Sequence, residues 1–199
     1  MNKEKKFLAM IFRMKHINRW SLMYNTYTEN LSVHTLECAY ITQFLAVIGN
    51  VYFNKNYDIN KLSTIALYHD VTEIITGDMP TPIKYYNEDI KKAYKSIENV
   101  AATKLLDMMP SKMQSAYKEY ITPNLTKEEK ELIKMSDTLC AYIKCIKEVN
   151  SGNKEFLQAG DQILNKLEEK RKESSELELF IDEYLDTFSM SLDELGGIL

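Results

Sequence analysis

Lys61 to Pro82 reads KLSTIALYHDVTEIITGDMPTP, and the reading of this stretch decides the fold. Leu62, Ile65, Ala66 and His69 recur three and four residues apart, the period of one helix face. Glu73 lies one turn beyond His69 on that face. Gly77 is a natural stop, and Pro80 and Pro82 cannot continue a helix. The spacing predicts a helix over about 61–76, then a rigid polar loop. It also carries a His-Asp doublet, His69-Asp70, in a chain with three histidines in 199 residues.

Working outward, the helical period recurs nearly everywhere. Six glycines and four prolines leave few breaks, and two-residue alternation is scarce. Residues 3–15 read as a first helix and Asn18 to Ser21 as a break. From Ser32 to about Ile48 a strong helix places His34, Cys38, Ile41, Leu45 and Ile48 on one buried stripe. Asn54 to Asn60 is a loop. Further helices are expected over about 88–108 and 111–120. Thr126 with Glu129 forms a capping box that opens a helix to about Val149, with Ile133, Asp137, Cys140 and Ala141 on one stripe. Two charged helices follow, near 154–172 and 176–188, and the Gly196-Gly197 tail reads as loose. The expected fold is all-α: a single helical bundle without repeats, linkers or a domain break.

Composition sets limits. The hydrophobic share is 45%, the charged share 27% and the net charge −4. That is ordinary for a globular chain and unsuited to a nucleic-acid polymer. Three cysteines without a C-x-x-C pair fall in apolar helical runs and read as buried free thiols of a reducing cytoplasm. The apolar patch Phe7–Phe12 is too short for a signal core. No run of about 18 apolar residues predicts a membrane span.

The chemistry rests on a combination. A lone histidine on an apolar face is usually a hydrogen-bonded core residue. A lone buried aspartate usually caps a helix or pairs with a lysine such as Lys144. Here His34, His69-Asp70 and Asp137 come from three different helices, each turning a metal-competent side chain inward, where an unpaired acid is costly. Two imidazoles and two carboxylates, without thiolate, suit one divalent ion such as Co, Mn, Zn, Fe or Ni. Such a set leaves positions open for water and a phosphoryl oxygen. Glu73 is a candidate proton carrier, or a surface acid paired with Lys84. Asp78 and Thr81 bring polar groups to the loop. Arg19-Trp20 joins a bidentate phosphate fork to a flat apolar surface, or is an ordinary surface arginine and core tryptophan.

Beyond these residues, the chain resembles the HD-domain 5′-deoxynucleotidases of the bacterial YfbR type. The resemblance runs from about Phe12 to Leu195. It is carried by INRWSLM (17–23), TENLSVHTLE (28–37), ALYHDVTEIITGDMPTPIKYYN (66–87), SDTLCAYIKC (136–145) and SLDE (191–194). It implies an all-helical, cytoplasmic homodimer hydrolysing deoxynucleoside 5′-monophosphates with a divalent metal. By motif, His34, His69, Asp70 and Asp137 are the implied ligands, and His34, Asp70 and Asp137 also face the substrate. Arg19 orients the phosphate, Trp20 crowds the sugar 2′ position, and Glu73 serves proton transfer. Asp78, Met79, Pro80 and Thr81 hold the sugar. Where the family usually has an acid before the first ligand histidine, this chain has Val33, a departure that touches a partner of the ligand.

Rival readings are another HD phosphohydrolase, acting on nucleoside triphosphates or guanosine alarmones, and a non-catalytic helical nucleotide-binding protein. The first calls for more basic residues than Arg19 and Lys84. The second calls for loss of the metal set. A two-iron oxygenase needs more histidines than the remaining His16.

Overall fold

A computed structural model describes residues 5–196. Residues 3 and 4 of the first expected helix, and Gly197 of the tail, lie outside them. Among the described residues the regular structure is helical: α1 Phe7–Ile11, α2 Leu31–Tyr52, α3 Ile59–Tyr68, α4 Glu73–Thr76, α5 Thr81–Lys84, α6 Glu88–Leu106, α7 Ser111–Ile121, α8 Lys127–Asn150, α9 Leu157–Arg171 and α10 Ser175–Glu183. Tight 3-10 turns follow α1 and α10 and precede α9. The first and last expected helices are therefore shorter than their periodicity implied. The tail, as far as Gly196, is a hydrogen-bonded turn, with Leu195 N–H on Ser191 O at 3.0 Å.

The chain forms two compact units that interleave in sequence. One takes residues through Tyr24, Thr28–Ala39 and Ser63–Leu125; the other takes Asn25–Tyr27, Tyr40–Leu62 and Thr126 onward. The core of the first is Phe7, Met14, Leu31, Val71, Leu105 and Met109. Phe7 also meets Tyr117 edge-on at 5.0 Å. Each such side chain contributes about 1.5–3 kcal/mol on burial, and Leu105→Ala should cost about 2–5 kcal/mol through the cavity it leaves.

α2 starts at Leu31 because the Asn30 side chain accepts the Val33 N–H at 3.2 Å, satisfying one orphan donor of the first turn. The expected stripe is buried along its length: His34, Cys38, Ile41, Leu45 and Ile48. A second stripe, Val33, Leu36, Tyr40, Phe44, Val47 and Val51, is exposed. By length and composition α2 could cross a membrane, alone among the described helices, but a little over half of the apolar window is buried inside the protein.

The helix expected over 61–76 is instead two. α3 ends at Tyr68 and α4 begins at Glu73. The cause is local competition. In a continuing helix the Ala66 carbonyl would accept from the Asp70 N–H. Here the His69 ring takes that carbonyl through Nδ1 at 2.7 Å. The chain then turns through i→i−3 bonds, Val71 to Tyr68 at 3.1 Å and Glu73 to Asp70 at 2.9 Å. Gly77 ends α4 with φ 75° and ψ 162°, a conformation close to glycine-only. Pro82 does not forbid a helix here. It occupies the first turn of α5, where its missing N–H is not needed.

In the second unit the Thr126–Glu129 capping box is present, at 3.2 and 2.7 Å. The most buried stripe of α8 is Leu132, Ser136, Leu139 and Ile143. The expected stripe lies one residue over. Ile133 and Cys140 are buried, while Asp137 and Ala141 are half-buried. Cys38, Cys140 and Cys145 are buried free thiols. One turn along, Lys144 (3% exposed) and Glu148 (0%) form a buried ion pair. Glu148 also accepts from Thr26 N–H at 3.0 Å, Thr26 Oγ1 at 2.6 Å and Asn153 Nδ2 at 2.8 Å. Lys144 Nζ donates to Tyr27 O at 2.7 Å and lies 3.4 Å from the Tyr27 ring centroid.

Candidate metal centre and active site

Three elements of the first unit meet at one point. His34 comes from the first turn of α2, His69-Asp70 from the turn after α3, and Arg19 from the segment after the first 3-10 turn. The ligand atoms of His34, His69 and Asp70 all lie within 4.8 Å of one another. Nε2 of His34 is 3.5 Å from Asp70 Oδ2, and Nε2 of His69 is 3.1 Å from the same oxygen. The opposite nitrogen of each ring is held by an oxygen: His69 Nδ1 by Ala66 O at 2.7 Å, and His34 Nδ1 by Glu29 Oε1 at 3.3 Å. With Nδ1 so engaged, the Nε2 atom of each ring faces Asp70. Metal-binding histidines are oriented this way, so the donor set fits a divalent cation of the borderline kind.

Electrostatics agree with that geometry. Burial alone would raise the Asp70 carboxyl, but His69 and His34 beside it hold it well below the usual carboxylate range. Arg19 Nη1 adds a contact at 3.3 Å. Glu73 behaves in the opposite way. It is 5% exposed. Burial, then the Asp70 and Asp78 charges, push its carboxyl up to about 9, against the pull of Lys84 and Arg19. It is therefore a buried acid and not the helix-surface acid that the alternative reading required. Lys84 is engaged elsewhere, with Glu98 at 3.1 Å and the Tyr94 ring at 4.6 Å.

Arg19 and Trp20 are neither exposed nor core. Residues 17–19 pair with 29–31 backbone to backbone: Arg19 N–H to Glu29 O at 2.9 Å and Leu31 N–H to Ile17 O at 3.0 Å. Trp20 follows with φ 58°, a left-handed conformation that costs a bulky residue about 1–3 kcal/mol. Its indole N–H donates to Glu29 Oε2 at 3.0 Å.

Periodicity did not single out Glu29. It precedes α2 and shares no helix face with His34. Its one sequence signal was its place in TENLSVHTLE. With Glu29 on His34 Nδ1, the departure at Val33 loses its weight: Val33 is 46% exposed and faces away. Among the remaining expected residues, Asp78 is half-buried within reach of the Arg19 and Asp70 charges. Met79 and Pro80 are half-buried and Thr81 is exposed, leading into α5. Asp137 lies on α8 in the second unit. Lys144, its possible structural partner, is instead tied to Glu148 and Tyr27.

Residues 6–188 match the family described as 5′-deoxynucleotidase YfbR-like. The chain belongs to the YfbR-like 5′-deoxynucleotidase family. It is 43% identical over 195 residues to 5′-deoxynucleotidase YfbR of Escherichia coli O127:H6, covering 98% of this chain and 97% of that one. A 5′-deoxynucleotidase of Yersinia pseudotuberculosis is 44% identical over 191 residues, 96% of each chain. Among solved structures, an HD-domain phosphohydrolase of Listeria innocua superposes with TM-score 0.80 at 20% identity, over 96% of this chain and 90% of that one. The cyanophage S-2L HD phosphohydrolase DatZ, bound to dA and one catalytic Zn2+, gives 0.66 at 18% identity, over 90% and 96%. These structural likenesses establish the all-α HD-domain fold. The YfbR-like family membership comes from the sequence match.

Proposed function

We propose that this YfbR-like chain is a metal-dependent phosphomonoesterase that hydrolyses 2′-deoxyribonucleoside 5′-monophosphates to deoxynucleoside and phosphate. The observation that carries the reading is the convergence of His34 and His69 Nε2 on Asp70, with Arg19 3.3 Å from the same carboxylate. It stands in a chain 43% identical to a protein named 5′-deoxynucleotidase.

In this reading His34, His69 and Asp70 hold one divalent cation, Co, Mn, Zn, Fe or Ni, and Asp137 in the SDTLCAYIKC motif supplies the fourth ligand. When bound, the ion acidifies water and polarises the phosphoryl group. Arg19 offsets the charge of the phosphate through its guanidinium fork. Glu73 is buried beside two other carboxylates and carries a proton, so it suits donation to the departing 5′ oxygen. Trp20, held in place by its indole N–H, fills the space a ribose 2′-hydroxyl needs. Asp78, Met79, Pro80 and Thr81 hold the sugar.

The interleaving of the two units supports a single HD domain, since neither is a contiguous stretch of chain. The exposed apolar stripe of α2 supports a homodimer. Three buried free thiols suit a reducing cytoplasm. The test pairs metal content with phosphate release from dAMP or dTMP in wild type and Asp70→Ala. Both should vanish together in the variant. Full activity in metal-stripped Asp70→Ala would contradict the proposal.

A further inference from the structure

We infer that Glu29 is a positioning residue that ties Arg19 and Trp20 to His34 through one carboxylate, so that the metal centre and the nucleotide-reading pair are set together. The sugar and phosphate half of this inference rests on the function proposed above; the His34 half does not.

Glu29 is 4% exposed, and both of its oxygens are used. Oε1 lies 3.3 Å from His34 Nδ1 and 3.4 Å from Arg19 Nε. Oε2 accepts from Trp20 Nε1 at 3.0 Å. Its backbone carbonyl accepts the Arg19 N–H at 2.9 Å. The groups facing it are thus all donors, two of them able to carry positive charge. Only a carboxylate presents acceptors on both sides. An amide of the same shape must turn its NH2 either at the indole N–H or at the Arg19 and His34 donors, and either way one side is lost. Trp20 has a positive φ that a free loop would relax, so the bond to Oε2 holds the ring in an otherwise disfavoured place. Oε1, on the same rigid group, fixes the ring plane of His34. Ordering His34 on a cation therefore orders Glu29, and through it Trp20.

Trp20 is the single tryptophan of the chain, so its emission reports the coupling without any turnover. Full-length wild type, Glu29→Gln and Trp20→Phe are titrated with Zn2+, which does not quench indole. Zn2+ affinity is read by calorimetry and the indole by its emission. Relative kcat/KM for dAMP and AMP is then measured with each protein. Zn2+ should shift Trp20 emission in wild type. Glu29→Gln should abolish that shift, weaken Zn2+ about 10- to 100-fold and lower the deoxy preference. Trp20→Phe keeps a ring but loses the N–H. It should lower the preference while binding Zn2+ within about twofold of wild type, because the Glu29–His34 contact remains.

A Glu29 that merely stabilised the fold would lower the melting temperature and leave the dAMP:AMP ratio and the Zn2+ affinity unchanged; that result overturns the inference. Wild-type emission that ignores Zn2+ while calorimetry shows binding also overturns it, even if Glu29→Gln fails to fold. Zn2+-coupled emission in a protein with no activity on dAMP would support the Glu29 link and refute the proposed function instead.

Discussion

Replacing Glu148 by alanine probes the buried charge pair of α8. The variant removes the acceptor of Thr26 N–H, Thr26 Oγ1, Asn153 Nδ2 and Lys144. It leaves Lys144, 3% exposed, as a buried cation without its anion. Breaking one side of such a pair costs about 3–5 kcal/mol. Lys144 keeps the Tyr27 carbonyl at 2.7 Å and the Tyr27 ring at 3.4 Å. A desolvated cation–π contact contributes about 2 kcal/mol, which places the loss near the lower bound. For a chain of this size about 3 kcal/mol lowers Tm by roughly 6–12 °C. Circular-dichroism melts and urea titration read both quantities. Adding Lys144→Met should restore part of the loss, because the stranded charge disappears. The wild type carries a matching pH signature. Burial raises the Glu148 carboxyl, but Lys144, Thr26 and Asn153 outweigh it and hold it at about 2, against an ordinary 4.5. With the folded pKa depressed, this stabilisation is complete above pH 4.5 and drains away as pH falls toward 2, by at most about 3 kcal/mol. Glu148→Ala should show a flatter acid limb. A loss under about 1 kcal/mol, or a double variant no more stable than the single one, would refute the reasoning.

Four further outcomes are expected. Gly77→Ala should lower the urea midpoint by the equivalent of about 1–3 kcal/mol. The cause is backbone strain and not a clash, since φ is 75° and no atom lies within 4 Å of the added Cβ. Glu73→Gln should cut turnover about 10²- to 10⁴-fold with metal content unchanged; metal loss would instead make Glu73 a ligand. Trp20→Ala should admit ribonucleotides and erode a deoxy preference of roughly 10², whereas Arg19→Ala should reduce kcat/KM on deoxy and ribo substrates alike.

Features written in local periodicity were legible in the sequence. The buried stripe of α2 with His34 on it, the Thr126 capping box and the buried thiols all follow from spacing and side-chain type. What escaped was made by side chains reaching across breaks in period. The helix expected over 61–76 stops at Tyr68 because the His69 ring competes for the Ala66 carbonyl, and periodicity is blind to that competition. The same event brings His69 Nε2 to 3.1 Å from Asp70 Oδ2, so the break in the helix and the approach of these two side chains have one cause. Glu29 acts from a segment without helical period, through a short backbone pairing between residues 17–19 and 29–31. The offset on α8 is smaller: Asp137 sits one row from the buried stripe, because half-buried and buried rows of a helix differ by a single residue.

The measurement that bears most directly on the central claim is kcat/KM for dAMP and AMP, on metal-stripped protein and on the same protein reloaded with Co2+, Mn2+ or Zn2+. The account predicts phosphate release only after reloading, and a preference for dAMP of roughly 10² or more. Equal activity in the stripped protein, or AMP hydrolysed as well as dAMP by the reloaded one, would contradict it.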